Sequence, residues 1–428
     1  MPLYELGLGS EKIHVVIDIG SYHTKIGFAG EASPRHIIPS YNVKSNNEVV
    51  NICDPKLTKE ELSDELITFV HAIYFRYLLT NPKDRKIVVC ENFLQRELFR
   101  ETLADVLFKQ FSVVGIMMTP ALPLALIPIG TPTGLIVNVG YHDTSVICVY
   151  EGMIILQSYL TVELGTHAHL MAIQRMISES GTVQVGNESK KASELYGEFE
   201  LSVLEDIRAR TCFCGERPVE LKDPSFVQSG VITEHRASDM RYPMSDGHHL
   251  VVSGKIRERS IEVLYDGDGE DNSIATLVLD SLLKCPIDCR VDLASRILII
   301  GGGSMLAGFD HRLKQEMAAL LDHSRFSKLT PGKLKFYKPN YFRNTMSWTG
   351  GAIMGSVEHL HERYISRDFY NAKGSATLPN WSSLAPQLKD SYQSSGTPTR
   401  RSSTPLRDFM SSPLSSSTLP PISNLALS

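Results

Sequence analysis

The sequence has little that would point to a secreted, nucleic-acid-binding or membrane-spanning protein. Its 428 residues include seven cysteines, an odd number without paired spacing, which argues against a secreted disulfide scaffold. A formal net charge of −5 argues against a general binder of nucleic acid or of acidic membranes. The opening residues, MPLYELGLGSEKIHVV, lack the long apolar stretch of a signal peptide. We therefore expect a reduced, intracellular protein.

One uncharged stretch, Phe111 to Tyr141, is long enough to cross a bilayer. Four prolines and four glycines interrupt it, and a lipid-facing helix could not keep its backbone hydrogen bonds through that series. The composition therefore favours a buried helix–turn–strand passage in a protein core and predicts no membrane span.

Periodicity elsewhere indicates an α/β architecture, because strand patterns alternate with helical ones. Residues 13–30 are typical of strand, tight turn and strand. The other predicted elements are helices over 62–79, 97–111 and 273–284, and strands over 86–90 and 297–300. The length suits more than one lobe around a large core.

The C-terminal stretch differs in composition. Residues 391–428 hold 12 serines and 5 prolines with almost no apolar periodicity. Such a segment cannot bury enough surface to offset the ordering of the chain, so disorder is predicted. Three Ser/Thr-Pro pairs near Arg400 are candidate phosphorylation sites, and a plain solvated tail is the alternative.

An internal repeat is the most informative feature. VVIDIGSYHT at 15–24 returns as LIVNVGYHDT at 135–144, which places Asp18 on Asn138 and Gly20 on Gly140. Each copy is an apolar strand, a turn and a second strand. Exposed N–H groups in such a turn form an anion nest, and an aspartate at the strand end can hold a cation through water. Two facing copies could grip a nucleotide polyphosphate and Mg²⁺; two unrelated hairpins are the alternative.

A third glycine-rich element strengthens the nucleotide hypothesis. The stretch 296–317 is typical of a strand, a glycine run at Gly301, Gly302 and Gly303, and a helix. The glycines would let a ligand approach the backbone, and the helix could point its positive end at a phosphate. A lone element of this kind is weak evidence, whereas three in this order are much stronger.

These motifs, in this order over residues 13–372, resemble the actin superfamily, and within it actin and the actin-related proteins. The resemblance implies two duplicated α/β lobes, or four subdomains, around a nucleotide cleft. Lobe one would comprise 1–133 and 345–372, with a shortened subdomain 2 at 41–77. Lobe two would comprise 134–344, with subdomain 4 at 166–250. A C-terminal extension would follow at 373–428.

The resemblance also implies a set of nucleotide-binding positions. They are Asp18, Gly20, Ser21, Lys25, Asn138, Gly140, Arg208, Gly301, Gly302, Gly303 and Met305. Asp18 would act on the Mg²⁺ shell through water, Lys25 on the phosphates, and Arg208 on the adenine side.

Several positions depart from the actin pattern. Tyr22 replaces a glycine beside the phosphates, Asn138 replaces the metal-side aspartate, and Tyr141–His142 replaces an Asp-Gly pair. The residues that place the attacking water in actin correspond to Ser145 and Ala121. Phosphoryl transfer depends mainly on positioning and electrostatics. We therefore predict a degenerate site and no enzyme activity, so that any bound ATP or ADP with Mg²⁺ would be structural rather than hydrolysed.

Four further segments, the start MPLYE and those at 204–213, 273–290 and 367–381, resemble the actin-related proteins that form the pointed-end subunit of dynactin, the cofactor of cytoplasmic dynein. The resemblance implies a cytoplasmic, cytoskeletal subunit. Its partners would be the actin-related filament protomers and other pointed-end subunits of dynactin, and indirectly dynein and its cargo.

The segment 41–86 leaves little chain for the mobile loop with which actin contacts its neighbour in a filament. Such a subunit would cap a filament rather than extend it, although surface loops also shorten without functional meaning. Two other functions stay open at this point: an active ATPase or small-molecule kinase of the same superfamily, and a nuclear actin-related subunit of a chromatin complex.

Overall fold

The computed structural model describes residues 12–93, 95–186, 188–217, 237–266, 272–329 and 334–379. Its strands are β1 Val15–Ile19, β2 His23–Phe28, β3 His36–Pro39, β4 Tyr41–Val43, β5 Val49–Asn51, β6 Lys86–Glu91, β7 Gly115–Pro120, β8 Gly134–Val139, β9 Thr144–Tyr150, β10 Met153–Val162, β11 Thr182–Val185, β12 Glu188–Lys191, β13 Met240–Pro243, β14 His249–Val252, β15 Ile297–Ile300 and β16 Ile365–Ser366. Its α-helices are α1 Lys59–Ala72, α2 Glu97–Asp105, α3 Ala121–Leu124, α4 Thr166–Ser180, α5 Ala192–Leu195, α6 Leu201–Thr211, α7 Gly254–Arg259, α8 Ile274–Leu283, α9 Ile287–Ala294, α10 Phe309–Leu321, α11 Met346–Gly355 and α12 Arg367–Lys373. This mixture confirms the α/β prediction.

The first large sheet has six strands in the order β16-β7-β6-β1-β2-β3. The β1–β2 hairpin forms its centre, with Asp18 opposite Lys25, and β1 runs parallel to β6. Strand β1 is an unbroken apolar run up to Asp18 because it is covered on both faces, as parallel neighbours in α/β proteins usually are. The polar residues that follow this run therefore lie at the carboxyl edge of the sheet.

A second sheet, in the order β10-β9-β8-β15, repeats this arrangement. Asn138 in β8 lies opposite Ser145 in β9, and β8 runs parallel to β15. Because Asn138 and Ser145 are each 120 residues after Asp18 and Lys25 in the sequence, the repeat extends to the cross-strand register. Each hairpin has its own apolar core, one centred on α1 and α2 and the other on α4 and α8.

Helix α11 packs against α3 and against strands β1 and β6 of the first sheet. Trp348 is fully buried there, and its indole N–H donates to the Val16 carbonyl oxygen at 3.1 Å. The closest approach lies at Gly350, where an added Cβ would stand only 2.0 Å from the Leu124 carbonyl oxygen. At this point α11 therefore packs directly on the backbone of α3.

The predicted helices and strands are present with shifted ends. The helical run predicted at 62–79 spans α1 and a π-helical segment, Ile73–Tyr77, and begins at Lys59 because Thr58 caps it in a capping box with Glu61. The run predicted at 97–111 spans α2 and a second π-helical segment, Val106–Gln110.

The prediction of a helix–turn–strand passage over 111–141 is wrong at its first element. The passage opens with strand β7, continues through the short helix α3 and a 3-10 turn, Ile127–Ile129, and ends in β8. All six residues of β7 are buried because both faces of the strand are covered. Ile116 and Met118 lie in the core with α1 and α2, and Met117 lies in the cluster around Trp348. No helix in the described part of the chain has the length and apolarity that a membrane crossing requires. The Ser/Pro-rich stretch predicted to be disordered lies outside the described residues.

Candidate functional site

The two repeated turns are both closed by their own backbone. The Gly20 N–H donates to the His23 carbonyl oxygen at 3.2 Å, and the Gly140 N–H donates to the Asp143 carbonyl oxygen at 2.9 Å. An added Cβ would lie 2.7 Å from that oxygen at Gly20 and 2.8 Å at Gly140. Both glycines are therefore required by the turns themselves, whether or not a ligand is bound.

Two tyrosines, one from each turn, meet across the space between the hairpins. The rings of Tyr22 and Tyr141 stack with centroids 4.1 Å apart and an interplanar angle of 6°. Both side chains are half-buried. Edge contacts with His23 on one side and His142 and His167 on the other extend the cluster. The structure thus brings the two copies of the repeat face to face.

Glu205 of α6 faces this stack. Burial, and then the Glu205 carboxylate, which also engages the Tyr22 hydroxyl, raise the pKa of Tyr22. Burial and Glu205 likewise raise the pKa of Tyr141 and of Tyr41 in β4. Glu205 itself is half-buried, and its pKa is raised by burial against the opposing effects of Tyr22 and Arg208. One carboxylate therefore raises the pKa of three tyrosines from three parts of the chain.

The first turn retains a charged pair, and the second does not. The Lys25 ammonium lies 3.2 Å from the Asp18 carboxylate, and both side chains are largely buried. At the equivalent place, the Asn138 amide reaches the Ser145 hydroxyl at 3.5 Å. A hydrated divalent cation at this edge would therefore meet one carboxylate, already paired with an ammonium, and one neutral amide.

The glycine run lies beside the second turn, and protein packing accounts for two of its glycines. An added Cβ would stand 2.3 Å from the Val139 carbonyl oxygen at Gly301 and 2.5 Å from Val139 Cγ1 at Gly303, whereas Gly302 borders open space. The predicted helix does not follow at once: the run continues as a 3-10 turn, Gly302–Met305, and α10 begins only at Phe309. The predicted order of strand, glycine run and helix over 296–317 is nevertheless present, with the 3-10 turn between the run and the N-terminus of α10.

Arg208 belongs to a protein network and does not project into open space. It is 7% exposed; its Nε donates to His169 Nδ1 at 3.2 Å and its Nη2 donates to the Gly303 carbonyl oxygen at 2.9 Å. His169 is fully buried and contacts the Ser260 hydroxyl at 2.8 Å through Nε2. Burial, and then Arg208, hold the pKa of His169 well below its usual range. Arg208 thus ties α6 to the glycine run.

The implied positions therefore divide into three groups. Asp18, Gly20, Ser21 and Lys25 lie in the first hairpin, and Asn138 and Gly140 lie in the second. Arg208 and the glycine run flank the second hairpin. Met305 is 49% exposed at the end of the run.

A nucleotide with its polyphosphate does not fit this arrangement of side chains. The family pattern places phosphates between the two turns, where it has a glycine at position 22 and an Asp-Gly pair at 141–142. The stacked rings of Tyr22 and Tyr141 occupy that space, and at 4.1 Å nothing can enter between them. The loss of the second carboxylate at Asn138 weakens the cation site independently.

Sequence reasoning missed Glu205 and the meeting of the two tyrosines. The repeat aligns Ser21 with Tyr141 and Tyr22 with His142, so it does not pair the two rings. The available signal for Glu205 was its position three residues before Arg208, which places both on one face of a helix.

Comparisons with protein families and with individual proteins identify the family to which the two hairpins and the glycine run belong. The actin family profile matches residues 9–380. Actin-related protein 10 of Dictyostelium discoideum is 29% identical over 439 aligned positions, which cover 87% of this chain and 90% of the relative. The matched region contains both hairpins, the glycine run and helix α11, so the chain belongs to the actin family.

Proposed function

We propose that this chain is a non-polymerising, non-catalytic actin-related subunit that caps the pointed end of the actin-related filament of dynactin and so supports dynein-driven transport along microtubules. The family match and the similarity to an actin-related protein 10 support the actin-related part. The observation that carries the capping part is the small, fixed hairpin that replaces a long loop after β3.

This hairpin consists of β4 and β5 and a five-residue connection, 44–48. The Lys44 N–H donates to the Glu48 carbonyl oxygen at 2.9 Å, which closes the connection. The Asn42 amide donates to the Glu65 carboxylate at 2.7 Å, and the Lys44 ammonium lies 3.4 Å from that carboxylate. Glu65 belongs to α1, so the hairpin is held against the helix that follows it.

A loop that joins filament neighbours must extend from the subunit and adapt to the next one. The connection at 44–48 is short, closed by its own hydrogen bond and attached to α1, so it cannot reach far. A subunit without that extension can join one end of a filament through its other face and then stop growth.

The absence of catalysis is supported by the second hairpin. Ser145, which corresponds to a water-placing histidine, is 1% exposed and lies against Asn138. A buried hydroxyl in that contact is poorly placed to orient an attacking water, and positioning accounts for most of the rate of phosphoryl transfer. The same proposal assigns the chain to the cytoplasm and cytoskeleton.

Four measurements on the purified full-length chain test the proposal. We expect no pellet on sedimentation with Mg²⁺ and salt, and slower pointed-end growth of actin-related filaments when the chain is added. We expect affinity capture to recover dynactin subunits and no chromatin-remodeller subunits. A single-turnover hydrolysis rate at or above that of actin, or a polymer pellet, would refute the proposal.

A further inference from the structure

The Tyr22–Tyr141 stack joins the two repeated turns through side chains that the family pattern does not provide. Tyr22 comes from the turn between β1 and β2, and Tyr141 from the turn between β8 and β9. Glu205 reaches the same place from α6 and engages the Tyr22 hydroxyl. Each member belongs to a different segment of the chain, so the contact links the two halves of the molecule.

We propose that the stacked rings of Tyr22 and Tyr141 form a latch that holds the cleft closed in place of a nucleotide. Parallel rings 4.1 Å apart supply contact area where a phosphate chain would otherwise bridge the turns. The Asp18 carboxylate is already paired with the Lys25 ammonium at 3.2 Å, and the neutral Asn138 amide stands where the family pattern has a second carboxylate. The closed arrangement of the turns thus needs no phosphate and no cation.

The two tyrosines hold the latch in different ways. The Tyr22 hydroxyl engages Glu205, whereas the Tyr141 hydroxyl is buried without a hydrogen-bond partner among the described residues. A buried unpaired hydroxyl costs stability, so Tyr141 must contribute through its ring alone. This difference separates the ring contact from the polar contact and provides a matched pair of variants.

The latch does not depend on the capping function. A chain that fails to cap filaments could still be closed by its tyrosines, and a capping chain could still require nucleotide. Nucleotide dependence and filament assays therefore report on separate proposals.

The first experiment uses the unmodified full-length chain. We expect the melting temperature to stay within about one degree after treatment with EDTA and apyrase, and again after addition of millimolar MgATP or MgADP, because a ligand that does not bind the native state cannot shift its unfolding. A fall of several degrees on nucleotide removal, or a comparable rise on addition, would overturn the latch. This measurement requires no variant to fold.

The second experiment compares Tyr141→Ala with Tyr141→Phe by hydrogen exchange. Tyr141→Ala removes the ring, and we expect amides of the facing turn at 20–23 to exchange about tenfold faster, since a local opening becomes easier. Tyr141→Phe keeps the ring and removes the unpaired hydroxyl, so exchange should be unchanged or slower. Equal exchange rates in the alanine variant and the unmodified chain would show that the ring stack does not stabilise the facing turn, which would refute the latch.

A third variant, Tyr22→Phe, tests the polar contact. It keeps the stack and removes the hydroxyl that engages Glu205, so we expect faster exchange in α6 with the turn at 140–143 still protected. If α6 were unaffected, the contact between the Tyr22 hydroxyl and Glu205 would play no part in holding the cleft closed.

Discussion

Replacing Gly350 with alanine tests the packing that joins helix α11 to the rest of the fold. Gly350 lies in the interior of α11, and a Cβ at this position would stand 2.0 Å from the Leu124 carbonyl oxygen and 2.6 Å from its carbon. Side-chain Cβ atoms essentially never approach another heavy atom closer than 3.0 Å, so α11 and α3 would have to separate by about 1 Å.

Two effects of opposite sign decide the outcome. Alanine is favoured over glycine by about 1 kcal/mol in a helix interior. Overpacking of a tight contact costs about 1–3 kcal/mol, and the upper end applies here because the obstacle is backbone rather than a flexible side chain. The steric cost wins, so we expect Gly350→Ala to lower the free energy of unfolding by about 2 kcal/mol.

Urea unfolding followed by circular dichroism measures this change. Gly197→Ala is the matched control, because Gly197 is exposed and its added Cβ would meet no atom within 4 Å. We expect the control to stay within about 0.5 kcal/mol of the unmodified chain. If Gly350→Ala stabilised the protein, helix propensity would outweigh packing and the close α3–α11 contact would be wrong.

Two further stability predictions concern charge. Arg312 is 1% exposed and forms ion pairs with Glu262 and Glu316, so Arg312→Met leaves two acidic groups without their cation and should lower the free energy of unfolding by about 3–5 kcal/mol. The control Arg325→Met removes a partly exposed pair with Asp280 and should cost under about 1 kcal/mol. Equal losses for the two variants in urea unfolding would contradict this prediction. Burial, and then the neighbouring Lys25, lower the pKa of His23 from its ordinary value of 6.5 to about 4. Between pH 6.5 and about pH 4, the unfolded chain therefore binds more protons than the folded chain. The free energy of unfolding should therefore fall as pH falls through that window, by up to about 1.4 kcal/mol per pH unit for this histidine. Thermal melts of His23→Gln should show a smaller fall over the same pH range. A variant with the same pH dependence as the unmodified chain would show that His23 is not the source of the effect.

Much of the framework could be predicted from local sequence. The apolar run before Asp18 and its copy before Asn138 predicted two hairpins, and both hairpins are present in the same register. Helical periodicity predicted α1 and α2, each together with the π-helical segment that follows it, to within a few residues at the ends. It could do so because the apolar residues of an amphipathic helix recur at a regular spacing along its buried face. The prediction of a helix after Phe111 was wrong because a short, fully buried apolar run has no periodicity that distinguishes a strand from a helix.

The sequence by itself determined the duplicated hairpins, the glycine turns and the loss of the second carboxylate at Asn138, because each depends on residues adjacent in the chain. Only the tertiary structure decided that Tyr22 stacks on Tyr141, that the Glu205 carboxylate raises the pKa of both tyrosines, and that Arg208 donates to the Gly303 carbonyl oxygen. The physical reason is that local backbone preference sets the turns and strands, whereas the filling of the space between them depends on which distant side chains the packed sheets and helices bring together.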